Sequence, residues 1–258
     1  MKQPIVIIGI GNMGKSFAQA FLSLGHPVYP VLRRTDPAAV AEAVPDPALV
    51  LVAVREEGLP GVLASLPDAW RGSVALLQNE LLPRDWQQHD LTDPSIAIVW
   101  FERRKNMPPT PYYDNPVYGP QADLLAEAFE ALEMPVQRIE TDDELLFELV
   151  RKNVYIIARN VMGLAAEGTI GEVWASHNEL YRDVIAELID VQAWLAGQPL
   201  PHERLMAQLA SDIEGLPDKG TRGSSAPARL RRAIAYADEA GLEVPHLREI
   251  AASRIDAG

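Results

Sequence analysis

The sequence predicts a Rossmann-type α/β domain with a doubly wound sheet, followed by an all-helical C-terminal domain. Short apolar runs alternate with helical segments over residues 1–140, and a glycine-rich turn joins the first apolar run to the first helix. Residues 141–258 show helical periodicity without a convincing strand. The two predicted domains, 1–140 and 141–258, therefore meet where the pattern changes.

Composition excludes several classes of function. The formal net charge of -13 over 258 residues argues against a nucleic-acid or anionic-membrane partner, but it leaves room for a local basic pocket that binds an anionic cofactor. The chain has no cysteine, so thiolate catalysis and zinc–thiolate sites are excluded, and the 5 histidines show no metal-ligand spacing. Without a leader pattern or an apolar run of ~20 residues, we expect a cytoplasmic protein.

The first strand and turn, I-V-I-I-G-I-G-N-M-G, carry the functional prediction. The three glycines fit the G-x-G-x-x-G fingerprint of dinucleotide-binding folds. The first glycine allows a tight turn, the second lets the backbone approach a pyrophosphate, and the third allows close packing of helix on strand. The helix N-terminus then stabilises the phosphate charge. The predicted cofactor-binding residues of this turn are Gly9, Gly11, Asn12, Met13 and Gly14.

The same letters allow a second interpretation. Gly9–Ser16 also satisfies the phosphate-loop pattern G-x-x-x-x-G-K-[ST] of nucleoside triphosphatases. Such an enzyme needs an Asp after an apolar strand to help hold magnesium. The two later strands that could supply it end in Arg55 and Glu102. The dinucleotide interpretation is therefore favoured, with Lys15 and Ser16 as ordinary residues of the first helical turn.

Periodicity and breaker residues predict the remaining elements. In the first domain, strands are expected at 28–32, 49–54, 73–77, 96–101, 115–118 and 136–139, helices at 15–24, 36–44, 59–66 and 121–132, and a surface loop at 103–113. In the second domain, helices are expected near 143–166, 177–196, 202–214, 226–240 and 246–255, with breaks at 168–171, 197–201 and 215–225. Thr141–Glu144 has the form of a capping box.

Three arginines bear on the choice of cofactor. An NAD-preferring site places an acid at the end of the second strand, where this chain has Arg33 and Arg34. Guanidinium groups suit a 2′-phosphate because they stay charged and bind in a fork, so NADP is the predicted cofactor. Arg55 ends the third strand and is a further candidate. The alternative interpretation is that all three are solvated surface charges.

Polar residues after the fourth strand and on the first helix of the second domain are candidates for catalysis. Asn79 follows the fourth strand, where its amide can orient the nicotinamide ribose or a substrate oxygen; alternatively it is a turn-former that bonds its own backbone. Lys152, Arg159 and Asn160 form a polar stripe on an otherwise apolar helix. One interpretation is that the stripe faces a ligand, whose carbonyl oxygen Lys152 protonates. The alternative is that the stripe faces solvent or a carboxylate.

In the order of these features the chain resembles the ketopantoate reductases, within the wider 6-phosphogluconate dehydrogenase-like superfamily. The matching segments are G-I-G-N-M-G at 9–14, Arg33, L-V-A-V-R ending at Arg55, L-L-Q-N at 76–79, V-Y-G-P-Q-A-D-L-L-A at 117–126, K-N-V-Y-I-I-A-R-N at 152–160 and G-L-E-V-P at 241–245. The resemblance implies NADPH-dependent reduction of a small 2-keto acid or a similar carbonyl compound. It assigns Lys152 as the catalytic lysine, Asn79 to the nicotinamide side, and Arg33 and Arg55 to the 2′-phosphate.

Two departures from the family concern the substrate. The family's second asparagine on the lysine helix is replaced by Ile156, so that only Asn160 is retained, and the family's substrate-binding Glu falls on Ser225. We therefore expect an NADP-dependent reductase of a small carbonyl compound, compatible with a homodimer, that acts poorly on ketopantoate. The alternative is an NADP(H)-binding sensor or partner protein without turnover.

Overall fold

The computed structural model describes residues 2–102, 110–221 and 223–254. It divides into two compact units, Met1–Glu148 and Leu149–Gly258. The division falls inside one long helix, beyond the 140/141 position at which the sequence pattern changes. Within the described ranges no helix is both long and apolar enough to cross a membrane.

The first unit is built on a seven-stranded sheet with the strand order β2-β1-β3-β4-β5-β8-β9. Its strands are β1 Ile5–Ile8, β2 Val28–Val31, β3 Leu49–Val52, β4 Val74–Leu76, β5 Ser95–Ala97, β8 Asn115–Tyr118 and β9 Val136–Arg138, while β6 Phe101–Glu102 and β7 Thr110–Pro111 form a separate hairpin pair. All neighbours in the large sheet are parallel except β5 and β8. Consequently the first five strands end at the same edge, where ligands bind in open α/β sheets.

Helices connect and cover the strands of this unit. They are α1 Asn12–Ser23, α2 Pro37–Ala43, α3 Leu59–Ala64, α4 Pro83–Gln87 and α5 Ala122–Ala131. Helix α1 packs on α5 through Phe17 and Phe129, whose ring centroids are 5.3 Å apart in an edge-on arrangement. All residues of β1 and β3 are buried, as their continuous apolar runs predict. The short helix α4 was not predicted.

The predicted strand 96–101 is wrong at residues 98–100, where the structure has no strand. Regular pairing of β5 ends at Ala97, and the N–H of Trp100 donates to the side-chain Oδ1 of Asn115 at 2.6 Å instead of to a strand backbone. The chain then enters the small hairpin, in which Phe101 pairs with Pro111. The predicted surface loop 103–113 is therefore wrong at its C-terminal end, while residues 103–109 lie outside the described part.

The second unit is helical. Its elements are α6 Asp142–Ala165, which begins in the first unit, α7 Ile170–Ser176, α8 Asn178–Ala196, α9 His202–Glu214, α10 Ala226–Ala240 and α11 Pro245–Arg254. Helix α7 lies where a break was predicted at 168–171. A capping box starts it: Thr169 Oγ1 accepts from the Glu172 N–H at 3.3 Å, and Glu172 Oε2 accepts from the Thr169 N–H at 2.8 Å. The predicted class, a Rossmann-type α/β domain followed by helices, is confirmed.

Candidate functional site

The glycine turn after β1 has the geometry that the fingerprint predicts. Gly9 has a φ of +95°, and a Cβ there would lie 2.9 Å from the carbonyl oxygen of Ala53 on the next strand. A Cβ at Gly14 would lie 2.0 Å from the carbonyl oxygen of Gly9, so this glycine permits the contact of helix and turn. A Cβ at Gly11 would meet nothing within 4 Å. Gly11 therefore leaves open space in front of the helix.

That space faces the N-terminus of α1. Gly11 is the N-cap and supplies no side-chain cap, and the first turn contains no acid. The first helical hydrogen bond runs from Lys15 N–H to Gly11 O, at 3.0 Å. The N–H groups of Asn12, Met13 and Gly14 thus have no acceptor within the helix, and Asn12 is exposed. This arrangement fits a pyrophosphate, whose oxygens accept hydrogen bonds and are stabilised by the helix dipole.

The phosphate-loop interpretation conflicts with the position of Ser16. Its side chain is fully buried, and its hydroxyl donates to the carbonyl oxygen of Asn12 at 3.0 Å. A triphosphatase needs that hydroxyl on magnesium. The dinucleotide interpretation is accordingly the one that this turn supports.

The arginines proposed for the 2′-phosphate flank the glycine turn. Arg33 and Arg34 are exposed in the turn after β2, which is closed by hydrogen bonds between Leu32 and Thr35. Arg55 is exposed after β3, at the start of a short 3₁₀ turn. Because β2 and β3 are the two parallel neighbours of β1, all three arginines lie at the sheet edge that carries the glycine turn. Their exposure also fits the alternative of solvated charges, so their role stays a prediction.

Asn79 follows β4 at the same edge and is half-buried. Its Nδ2 donates to Glu56 Oε1 at 3.0 Å, so its amide bonds a neighbouring segment, which disfavours the turn-former interpretation. Gln78 Nε2 donates to the carbonyl oxygens of Val52 at 2.7 Å and Val54 at 3.2 Å, which ties this loop to the end of β3. The sequence reasoning did not single out Glu56. The only signal for Glu56 in the sequence is that it is an acidic residue next to Arg55.

Glu80, which follows Asn79, has a φ of +60°. A non-glycine residue in this region is strained by about 1 kcal/mol or more, and such strain concentrates at functional sites. The observation supports a functional role for the loop after β4.

In the helical unit, the predicted proton donor Lys152 has a pKa that differs strongly from that of a free lysine. Its side chain is partly exposed in the middle of α6. Desolvation lowers its pKa to about 7, and the positive charges of Arg159, Arg229 and Arg151 contribute, while the carboxylate of Asp212 opposes them. A lysine with such a pKa exchanges protons near neutral pH.

Arg159 and Asn160, the other members of the predicted stripe, contact the segment between α9 and α10. Arg159 Nε donates to the carbonyl oxygen of Gly220 at 2.7 Å. Asn160 is buried, and its Nδ2 donates to the carbonyl oxygen of Ile156 at 2.7 Å. Its Oδ1 accepts no hydrogen bond from any described residue, and a Cβ at Gly223 would lie 2.3 Å from it. Arg159 and Asn160 therefore contact this segment and do not lie free in solvent.

The sequence reasoning missed a buried ion pair beside the stripe. Arg151 Nε and Nη2 donate to the two carboxylate oxygens of Asp212 at 2.7 and 2.8 Å, and Gln208 Nε2 adds a bond to Oδ1 at 3.0 Å. Asp212 is 1% exposed. No local pattern signals a pair that is 61 positions apart in sequence.

Ser225, where the family resemblance leads one to expect a substrate-binding Glu, is exposed at the N-cap of α10 and makes no side-chain cap bond. Within the described part of the chain, no group of three or more His, Cys, Asp or Glu residues could hold a metal ion.

Comparisons with known proteins bear on the fold. No protein-family model matches the sequence, and no curated protein matches it significantly. Solved structures do match over nearly the whole chain. A PanE/ApbA family ketopantoate reductase from Ralstonia eutropha JMP134 has a TM-score of 0.69 at 19% identity, with 96% of each chain covered. The dimeric ketopantoate reductase of Staphylococcus aureus has a TM-score of 0.65 at 17% identity, and D-mandelate dehydrogenase in complex with NADH one of 0.68 at 13%, again with 96% of each chain covered.

The chain therefore has a fold that these reductases and dehydrogenases share. More specifically, the fold is ketopantoate reductase-like, as the sequence resemblance led us to expect.

Proposed function

We propose that this protein is an NADP-dependent oxidoreductase that reduces a small carbonyl compound of the 2-keto acid type. The observation that carries this proposal is Lys152, an amine whose pKa of about 7 lets it act as an acid at neutral pH. The glycine turn of the first unit supports it, because its open space and its N–H groups without an acceptor in the helix fit a dinucleotide.

The proposed cofactor-binding residues all lie at the sheet edge that carries the glycine turn. The backbone at Gly11, Asn12 and Met13 would hold the pyrophosphate, and Gly9 and Gly14 keep the turn in place. Arg33 would bind the 2′-phosphate in a fork, with Arg34 and Arg55 adding charge. Asn79, held by Glu56, would orient the nicotinamide ribose. When bound, NADPH supplies a hydride to the carbonyl carbon.

Lys152 is the proton donor of the proposed reaction. As the hydride adds to the carbonyl carbon, the electrons of the C=O π bond move to oxygen, which takes a proton from the Lys152 ammonium and becomes a hydroxyl. The neutral amine is then reprotonated from solvent. Asn160, another member of the stripe, has a buried acceptor oxygen and would fix the orientation of the substrate.

Ketopantoate itself is expected to be a poor substrate. Ser225 is short, uncharged and exposed, so it cannot replace a Glu that accepts hydrogen bonds from a substrate hydroxyl. Loss of a partner for a polar substrate group costs up to roughly 10⁴ to 10⁵ in discrimination.

The test is NADPH oxidation in the presence of a panel of 2-keto acids that includes ketopantoate. We expect one member to approach ~10 turnovers per second, a typical enzyme rate, and ketopantoate to lie far below it. Tight NADPH binding without consumption by any member would contradict turnover and favour the sensor or partner protein. Rapid reduction of ketopantoate would show that another residue replaces the missing Glu.

We also propose a homodimer. The support is the similar structure of the dimeric ketopantoate reductase of Staphylococcus aureus. Light scattering on the purified protein tests it, and a mass near 28.3 kDa would indicate a monomer.

A further inference from the structure

The loop after β4 is tied to the end of β3 by the side chain of Gln78. Its Nε2 donates to the carbonyl oxygens of Val52 at 2.7 Å and Val54 at 3.2 Å. Its Oε1 accepts from the N–H of Leu77 at 3.1 Å. Because both ends of the Gln78 amide are engaged, the backbone that carries the next residue, Asn79, has a defined position relative to β3.

The same end of β3 contacts the glycine turn. A Cβ at Gly9 would lie 2.9 Å from the carbonyl oxygen of Ala53 and 3.0 Å from Cγ1 of Val54. The Gly9 turn therefore packs on one side of these residues, while Gln78 bonds Val54 from β4, the other neighbour of β3. Asn79 is thus placed at a defined distance from the turn that is proposed to hold the pyrophosphate.

The side chain of Asn79 has a defined direction as well. Its Nδ2 donates to Glu56 Oε1 at 3.0 Å. A carboxylate oxygen can only accept, so it is the nitrogen end of the amide, not the oxygen end, that faces Glu56. Asn79 Oδ1 accepts no hydrogen bond from any residue that the structure describes, and the side chain is half-buried. Glu56 therefore holds the amide so that its acceptor is left for a ligand.

The direction of the amide determines which ligand groups it can bind. An amide oxygen accepts from hydroxyl groups, such as those of a nicotinamide ribose, but it repels the oxygen of a substrate carbonyl or carboxylate. Nδ2 keeps a second N–H bond, and an exchange of Asn79 for Asp removes that donor while it keeps an acceptor.

We propose, building on the function proposed above, that Glu56 is a positioning residue of the cofactor site. It holds Nδ2 of Asn79, so that Oδ1 accepts a hydrogen bond from a hydroxyl group of the nicotinamide ribose. Asn79 thus serves the cofactor and does not bind the substrate oxygen. Glu56 acts on the cofactor through Asn79.

The first experiment separates positioning from a general structural role. Glu56→Met keeps a side chain of similar length but removes the acceptor, so the amide of Asn79 can rotate. NADPH binding, measured by calorimetry, should weaken about 2- to 12-fold, the range for one ordinary hydrogen bond. Binding of adenosine 2′,5′-bisphosphate, which has the 2′-phosphate but no nicotinamide ribose, should not change. Glu57→Met, at the exposed acid next to Glu56, is the matched control and should affect neither ligand.

An exchange of the two partners tests the role of Oδ1. Asn79→Asp places two carboxylates side by side, so NADPH binding should weaken by at least the same factor. Adding Glu56→Gln restores the bond with reversed polarity, because the new glutamine amide donates to one oxygen of the new aspartate and the other oxygen accepts from the ribose. The double variant should therefore regain most of the lost affinity. Asn79→Asp combined with Glu57→Gln removes a charge without restoring the bond, so it should regain none.

Four outcomes bear on this inference. NADPH binding that is unchanged in Glu56→Met, or weakened as much as that of adenosine 2′,5′-bisphosphate, would overturn it. A double variant that binds NADPH as weakly as Asn79→Asp would overturn the role of Oδ1 and show that an N–H of Asn79 is needed. If the wild type does not bind NADPH, the inference fails together with the proposed cofactor. The expected affinities without NADPH oxidation by any 2-keto acid would uphold the inference and contradict the proposed reductase activity.

Discussion

The two units build their candidate sites in different ways. In Met1–Glu148 the site is mainly backbone: a left-handed glycine, an open N-cap and the end of a helix, all within six consecutive residues, 9–14. In Leu149–Gly258 the site consists of side chains from separate elements, and Arg159 and Gly220, which touch, are 61 positions apart. A backbone site can be recognised from a short motif, whereas a side-chain site exists only once the helices have packed.

The two sites also differ in electrostatics. The glycine turn offers backbone dipoles, whose strength does not depend on pH. Lys152 lies among ionised side chains, and its own protonation state changes near neutral pH. Substitutions in the first unit should therefore change cofactor affinity, and those in the second should change turnover and its pH dependence.

The largest effect is expected for Lys152→Ala. Removal of the proton donor should lower kcat by about 10²- to 10⁴-fold on the best substrate, the usual contribution of general acid catalysis. The dissociation constant of NADPH, measured by fluorescence titration, should change little. A variant that keeps wild-type turnover would show that Lys152 is structural. A large loss of NADPH affinity would contradict the proposal that the first unit sets cofactor affinity and the second sets turnover.

The pH profile of the wild-type protein gives a check on the same residue. In the proposed mechanism Lys152 acts in its protonated form, and its pKa is about 7, so kcat/KM should fall about tenfold per pH unit above that value. Lys152→Arg keeps the charge but stays protonated at all accessible pH values, so its residual activity should lack this decline. A decline that persists in the variant would have to come from another group.

The next largest effect concerns stability. Asp212→Asn removes the charge that pairs with Arg151 in a buried site, and breaking such a pair typically costs about 3 to 5 kcal/mol. Asp123→Asn is the matched control, since the Arg138–Asp123 pair has side chains that are 48% and 86% exposed. Such an exposed pair contributes about 0–1 kcal/mol. Urea unfolding of both variants should show this contrast, and equal losses would contradict it.

Much of the first unit could be predicted because its signals are local. The run I-V-I-I, the turn at Gly9 and the stop at Gly25 fix a strand, a turn and a helix within about twenty residues of sequence. The error at 96–101 arose because the side chain of Asn115 takes the Trp100 N–H, a contact that spans 15 residues. Helix α7 had a local signal, T-I-G-E, but the glycines on either side of Thr169 outweighed it.

The site of the helical unit could be predicted only in part. The spacing of Lys152, Arg159 and Asn160 showed a polar stripe, because three positions on one helix are local information. Asp212, Gly220 and Arg229 could not be connected to that stripe, because helical periodicity says which face is polar but not which helix will pack on it. The low pKa of Lys152 arises first from desolvation, which depends on how the helices pack; of these distant neighbours, Arg229 lowers the pKa further and Asp212 raises it.

A smaller effect is expected for cofactor choice. NADPH should bind about 10- to 150-fold more tightly than NADH, since a charge-assisted hydrogen bond contributes about 1.5–3 kcal/mol. Arg33→Ala should remove most of this preference by weakening NADPH binding alone, with the NADH constant as the internal control. Fluorescence titration measures both. Equal affinities of the wild type for NADPH and NADH would favour the alternative interpretation, in which Arg33 and Arg34 are solvated surface charges.

The smallest effect on the fold, and the sharpest test of a backbone site, is expected for Gly11→Ala. A Cβ at this position meets no protein atom within 4 Å, and the φ of -77° is allowed for alanine. Alanine is a poorer N-cap than glycine, so the loss of stability should be about 1 kcal/mol or less. The methyl group would nevertheless occupy the space in which a pyrophosphate approaches the backbone, so NADPH affinity should fall while stability is kept. Gly14→Ala is the matched contrast, because its Cβ would lie 2.0 Å from the Gly9 carbonyl oxygen and should destabilise the first unit itself. If Gly11→Ala binds NADPH as the wild type does, the open space is not the pyrophosphate site, and the glycines would serve only to join strand to helix.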